Sequence, residues 1–556
     1  MTARTGGPLQ PAVTIISLTD DIYCIGPRRI SSQLKRNGFD ARLVFLQPTS
    51  LWGQITQRFS SHFATPDFSE TLYRQLIEVC KDSLVVGLSV WTHQADEAEL
   101  ITKRLQRDLP NTKIIWGGIH PTSFPDQCMD SVEAICLGEG DLSFLRLAEA
   151  LRDGRDYKNT AGFWFRDGER IIKNREEPLV QNLDELPFLD FEFEDHFVND
   201  QGELKRMSMA LMKKYYGGKL WTMFSQGCPY KCTFCSNDIL IDLQDDYRKF
   251  RHHTPEFFMA QLRYILSKYP HIYNIIIDDD AYMFLPYELI KEFATKYKQN
   301  FDIPFFISGV IPASVENKKF HTLIEAGMIK MRIGIQSGNP RVMKEVFVRP
   351  LHDGKMFTAS QMAFENRKRL APVQYDLIVD NPWEHPKELK DTLKLVHRLK
   401  RPYTFAINSL TLLPGTTIYK MGEQSGFTKN QEKITLASYV HFKPTMLNLT
   451  LAFYNITRVP EFWFRYVMKK DFGDRTVTMP EYPKIGTLIM ACGLVKKLIH
   501  SCLRRDISPV PRPLDRWVGK LFIRRRFNSG LPPNSDEYPF KVALPTRATP
   551  RRLVAS

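Results

Sequence analysis

The chain has 556 residues, 43% of them hydrophobic and 25% charged, with a formal net charge of +14. This is a globular balance, too long for one ordinary domain and suggestive of about three. No run of about 18 uninterrupted apolar residues offers a spanning helix. Residues 1–10 lack the apolar core of a signal peptide, so a cytoplasmic protein is expected. The charge is uneven: residues 485–556 hold 14 Lys or Arg against 4 Asp or Glu, which leaves about +4 for the rest. A basic appendage on a near-neutral body argues against a nucleic-acid groove, and no nucleic-acid partner is expected.

Residues 11–185 alternate strands and helices. Strands are predicted at 13–18, 42–46, 84–90, 113–116 and 134–137, with helices at 30–37, 95–108 and 141–151. Gly38 stands where a helix-ending glycine belongs. The nearly all-apolar strands suit burial on both faces. This pattern predicts a doubly wound, Rossmann-like parallel sheet. A hairpin at Asp167-Gly168 and an acidic, proline-punctuated stretch at 183–197 form a connector. A second alternating unit has strands at 220–225, 273–277, 304–308, 331–335, 374–379 and 405–412, with helices between them such as 255–268 and 286–298. Six repeats predict a partial (β/α)6 barrel. The domain reading is 1–190 with the connector, 191–430, and a mainly helical extension at 431–556 that ends in a Pro- and Arg-rich tail.

Nine cysteines in so long a chain are not a disulfide framework. Cys24, Cys80, Cys128, Cys136, Cys492 and Cys502 are scattered and suit inert packing. Cys228, Cys232 and Cys235 are clustered in Gln226-Gly227-Cys228-Pro229-Tyr230-Lys231-Cys232-Thr233-Phe234-Cys235, directly after a strand. Three thiolates can hold three irons of a 4Fe–4S cluster and leave the fourth iron open. A structural zinc site wants four ligands, and the nearest histidines, His252 and His253, lie well downstream.

The CxxxCxxC pattern, with an aromatic residue before its last cysteine, resembles the signature of the radical S-adenosylmethionine (SAM) superfamily. Ile277-Asp278-Asp279-Asp280-Ala281-Tyr282 is similar to a motif of the subfamily that includes the anaerobic magnesium-protoporphyrin ester cyclase and class B radical SAM methyltransferases. Gly334-Ile335-Gln336-Ser337-Gly338 resembles Gly-x-Glu-Ser-Gly, with Gln336 in place of Glu. Asp380-Asn381-Pro382-Trp383-Glu384 stands where many members have Gly-Leu-Pro-Gly-Glu, and Leu413-Pro414-Gly415-Thr416 resembles the Pro-Gly-Thr of the sixth strand. The resemblance implies that Cys228, Cys232 and Cys235 ligate the cluster and that Phe234, Asp279, Gln336 and Ser337 contact S-adenosylmethionine. It also implies cleavage of S-adenosylmethionine to a 5′-deoxyadenosyl radical, driven by an electron donor such as flavodoxin or ferredoxin.

The first domain resembles the cobalamin-binding domain of that subfamily; a plain docking platform is the alternative. Glycines at strand ends clear room for a bulky cofactor, and ligands enter such sheets at strand C-termini. By this resemblance Tyr23, Ser89, Gly117, Gly118, Gly138 and Glu139 are the expected cobalamin contacts. Asp21-Ile22-Tyr23-Cys24-Ile25-Gly26 has the spacing of Asp-x-His-x-x-Gly with Tyr23 for His, which implies that this motif gives cobalt no histidine. The expected activity is methyl transfer to an unactivated carbon of a small-molecule or lipid substrate. A cyclase or rearrangement with the same cofactors is the alternative, and a non-catalytic cobalamin or redox sensor is a third reading. Residues 485–503 and 517–527 mix apolar and basic residues; they suit either packing on the barrel or peripheral contact with an anionic membrane.

Overall fold

The apolar runs of the first segment form a sheet whose strands are buried on both faces. In this computed structural model, residues 11–19, 22–46, 68–350, 353–428, 441–476 and 479–504 are described. The strands are β1 (Ala12–Ser17), β2 (Asp40–Phe45), β3 (Ser83–Ser89), β4 (Lys113–Gly117), β5 (Ala134–Cys136), β6 (Phe163–Asp167), β7 (Arg170–Lys173), β8 (His196–Asp200) and β9 (Glu203–Arg206). Their order is β7-β6-β5-β4-β3-β1-β2-β8-β9. The run from β5 to β8 is parallel, and the hairpins β6–β7 and β8–β9 are antiparallel edges. Successive residues feed opposite cores: Val13 and Ile15 join one apolar cluster, while Ile16 joins another with Val86 and Trp116. Helices cover both faces, including Ile25–Arg36, Ala95–Asp108 and Gly140–Arg152.

The sheet passes the boundary expected at residue 190. β8 pairs with β2 from Leu43 opposite His196 onward, so the N-terminal unit extends to Arg206. The acidic connector hides this, because only Phe197 and Val198 mark β8 as apolar before Asn199 and Asp200 follow.

The second unit is a six-stranded parallel partial barrel. Its strands are β10 (Lys219–Thr222), β13 (Asn274–Ile277), β14 (Phe305–Val310), β15 (Met328–Gln336), β16 (Val373–Val379) and β17 (Tyr403–Ser409), paired in that order. The first strand is shorter than expected. It ends at Thr222, and β11 (Ser225–Gln226) leaves to pair antiparallel with β12 (Arg251–His252). The extension begins with helices Met446–Phe453, Glu461–Lys469 and Pro483–Arg504. The first two pack beside the barrel helix Pro386–Arg398, where His397 stacks on Phe464 at 4.0 Å, and the third packs on Met446–Phe453. No described helix is long and apolar enough to cross a membrane. The expected basic stretch at 517–527 lies outside the described residues.

Candidate active site

The cysteine loop leaves the C-terminal end of β10 and is braced by two carboxylates from the end of β13. Asp279 accepts from the backbone N–H of Phe224 and of Ser225, both at 2.8 Å, and from the Ser225 hydroxyl at 2.6 Å. These bonds turn the chain out of the barrel, which is why β10 stops at Thr222. Burial pushes the Asp279 carboxyl up to about 8 against those donors. Asp280 accepts from Gly227 N–H and the Asn237 amide, both at 2.9 Å, and from the Tyr247 hydroxyl at 3.2 Å. The Tyr247 carbonyl in turn accepts from Cys228 N–H at 3.2 Å. Gly227 has φ +103°, and a Cβ there would lie 2.3 Å from the Lys249 carbonyl oxygen. Only glycine fits that turn.

Cys228 and Cys232 are buried, Cys235 is half-buried, and all three are free thiols. Burial pushes Cys228 up to about 11 and Cys235 up to about 12, and raises Cys232 as well. Their thiolates need a cationic partner, which the irons of a cluster supply. Among the described residues no three His, Cys, Asp or Glu side chains converge on one ion. The buried Arg349 donates to the Gly334 carbonyl at 2.9 Å, and its charge acts on Cys228 and Cys232.

The residues expected at S-adenosylmethionine divide. Gln336 ends β15 at φ +69°, with its amide so close to Gly334 that a Cβ there would meet Nε2 at 2.6 Å. It thus lies on the Arg349 side of the loop. Ser337 is buried, 3.4 Å from a Glu384 oxygen and 3.3 Å from the Thr392 hydroxyl. Phe234 instead packs on Phe347 at 4.9 Å, among Met343, Val346, Leu412 and Ile418. Asp279, as described, holds the loop. Both of these side chains are thus engaged by the protein itself. Asp280, Arg349 and Glu384 are members the sequence reading did not single out as site residues. Asp280 had a signal in the Asp triplet, whereas Arg349 sits in no recognisable pattern.

In the first domain, the order β5-β4-β3-β1-β2 reverses between β1 and β3, which creates a crevice at their C-terminal ends. Ser89 ends β3 opposite Gly117 at the end of β4. Gly118 has φ +98°, and a Cβ would sit 3.1 Å from the Val90 carbonyl oxygen. Gly138 N–H donates to the Thr122 hydroxyl at 3.1 Å. Thr92 Oγ1, Gln94 Oε1 and His120 Nδ1 follow the same strand ends, buried and without a hydrogen-bond partner among the described residues. Bare glycines beside orphaned polar atoms fit a large polar cofactor. Two expected contacts are engaged elsewhere. Tyr23 donates to the Tyr216 carbonyl at 3.3 Å and packs against Tyr216 and Trp221. Glu139 is held by Arg251. Both meet barrel-side residues because they lie where the two units touch.

Residues 11–148 match the B12 binding domain family and residues 222–418 match the radical SAM superfamily. The chain thus joins a B12 binding domain to a radical SAM domain. It is 25% identical over 363 residues to an uncharacterized methyltransferase of Pyrococcus horikoshii, spanning 64% of this chain and 73% of that one. It is 30% identical over 188 residues to the anaerobic magnesium-protoporphyrin IX monomethyl ester cyclase of Synechocystis, spanning 33% and 34% of the two chains. The fold is shared with the cobalamin-dependent S-adenosylmethionine radical enzyme OxsB, solved with aqua-cobalamin and S-adenosylmethionine bound. That match has a TM-score of 0.59 at 17% identity and covers 93% of this chain and 75% of OxsB. The cofactor set of such a radical SAM enzyme is a 4Fe–4S cluster, S-adenosylmethionine and cobalamin.

Proposed function

We propose that the protein methylates an unactivated carbon of a small molecule. The observation that carries this reading is a three-cysteine loop, braced by Asp279 and Asp280, whose supporting strand is bound to the glycine-lined end of the cobalamin-type sheet. The name of the Pyrococcus horikoshii relative points the same way. When bound, the cluster and S-adenosylmethionine supply a 5′-deoxyadenosyl radical, and cobalamin supplies a transferable methyl group.

Within this reading, Cys228, Cys232 and Cys235 hold the cluster, and Asp279 and Asp280 fix their loop. Arg349 offers its guanidinium to the carboxylate of S-adenosylmethionine, with Gln336 beside it. Ser337 and Glu384 support the β15 end from below. Ser89, Gly117, Gly118 and Gly138 line the cobalamin seat. Such a cluster would need an external electron donor, and a flavodoxin or ferredoxin is the expected partner. Cyclisation with the same cofactors is the second reading, favoured by the Asp278–Asp280 motif and the cyclase relative.

Peripheral membrane contact belongs to the same proposal. Phe462, Trp463 and Tyr466 are exposed beside Arg465 and Lys469, and Ile485, Leu488 and Val495 are exposed on the last helix. Such contact would suit a lipid substrate, and a vesicle flotation assay tests it.

The test of function is anaerobic reconstitution with iron, sulfide and cobalamin, then S-adenosylmethionine and a reductant. Formation of 5′-deoxyadenosine that disappears in Cys232→Ala, with S-adenosylhomocysteine beside it, is expected. A fully loaded protein that forms neither product with any candidate substrate refutes the reading in favour of a sensor.

A further inference from the structure

The strand pair from which the cysteine loop emerges is gripped at facing positions by the cobalamin-type domain. Gln226 lies opposite Arg251 in the β11–β12 pair. Arg251 forms a bidentate pair with Glu139, at 2.9 and 2.5 Å, and also donates to the Val180 carbonyl at 3.1 Å. Its side chain is 1% exposed. With its amide oxygen turned to the guanidinium, Gln226 accepts from Arg29 at 3.1 and 3.0 Å. Arg29 then donates to Asp141 at 2.7 Å, again inside the protein. Both acids come from Gly138-Glu139-Gly140-Asp141, the short loop after β5 and the first turn of the helix Gly140–Arg152 that it opens. That loop begins with a glycine of the proposed cobalamin seat. Gln226 is two residues before Cys228. Two arginines therefore join the support of one cofactor to the support of the other.

We propose that Arg29 and Arg251 are a two-point clamp that sets the distance and orientation between the iron–sulfur loop and the cobalamin seat. The inference rests on the proposed function. They are positioning residues and touch neither cofactor. A single contact would leave the loop free to pivot, whereas two contacts, one of them a planar bidentate fork, fix angle as well as distance. Burial keeps water from replacing them. The geometry matters because groups carried on separate domains must meet one substrate atom, and a misplacement of about 1 Å can cost about 100-fold in rate.

The experiment uses full-length protein loaded with both cofactors. Pulsed electron paramagnetic resonance reads the dipolar interaction between the reduced cluster and cob(II)alamin. Wild type should give one narrow distance distribution. The double variant Arg251→Met/Glu139→Gln leaves no unpaired buried charge. It should bind both cofactors and give a distribution shifted or broadened by about 1 Å or more. The exchange Arg251→Glu/Glu139→Arg should restore the narrow distribution. Arg251→Lys keeps the charge without the fork and should broaden it less; it serves if the double variant loads poorly. Narrow, wild-type distances in these variants would overturn the clamp while leaving the function intact. Wild-type protein that binds no cobalamin would overturn the function and the clamp together.

Discussion

Replacing Gly227 by alanine should unseat the cluster without unfolding the barrel. The glycine sits at φ +103°, where a side chain costs about 1–3 kcal/mol. The added Cβ would also lie 2.3 Å from the Lys249 carbonyl oxygen and 3.0 Å from that of Tyr247. Both are backbone atoms, so no flexible side chain can yield. Relief requires the 247–249 segment to move by about an ångström, an overpacking cost of about 1–3 kcal/mol. That segment carries the carbonyl that holds Cys228 N–H. A loop penalty of about 3 kcal/mol corresponds to roughly 100-fold weaker cluster retention. The assay is iron and sulfide per chain after anaerobic reconstitution, followed by the rate of cluster loss to a chelator, with far-ultraviolet circular dichroism as the fold control. Gly354→Ala is the matched control. Its Cβ enters open space on a helix, so cluster loading should be unchanged and stability should rise by up to about 1 kcal/mol. Wild-type cluster stoichiometry and chelator resistance in Gly227→Ala would refute the reasoning.

Asp279→Asn turns an acceptor into a donor against buried N–H groups. It should cost about 2–4 kcal/mol and lower cluster retention, measured by denaturation of the apoprotein and by iron content. Burial, reinforced by the charge of Glu388, pushes Glu384 up from 4.5 to about 8, so the folded state binds that proton more tightly than the unfolded state. The resulting stability is full below pH 4.5 and is lost as pH rises towards 8. Urea midpoints between pH 5.5 and 8.5 should therefore fall more steeply for wild type than for Glu384→Gln. Arg349→Met should weaken S-adenosylmethionine binding by about ten-fold or more while the cluster still assembles, read by titration of the reduced cluster's magnetic resonance signal. Air exposure should bleach the cluster and abolish turnover together, because an open iron is unprotected.

The parallel strands β1–β5 and the six barrel strands, with several helices, were legible because buried parallel strands are apolar runs and their helices are amphipathic. Helix 95–108 agrees residue for residue. The helix Glu70–Cys80, capped by Ser69, was not read from the sequence. Strands β8 and β9 were also missed, since β9 is a polar edge and the few apolar residues of β8 sit in an acidic stretch. At the site, the cysteine spacing and the strand-end glycines are local features written in consecutive residues. The roles of Asp279, Phe234, Tyr23 and Glu139 are not. Their residue types suit a ligand contact, and only the fold shows that each is also engaged by a residue distant in sequence.

The two-unit α/β plan, the three-thiol loop and the cofactor chemistry these imply are written in the order of residues, because spacing and period are properties of neighbours in the chain. The tertiary structure alone decided which acids hold the cysteine loop, where Arg349 comes to rest, and how Arg29 and Arg251 tie the two units together. Each of those contacts joins residues tens to more than a hundred positions apart, and a charge becomes a brace only when folding buries it against its partner.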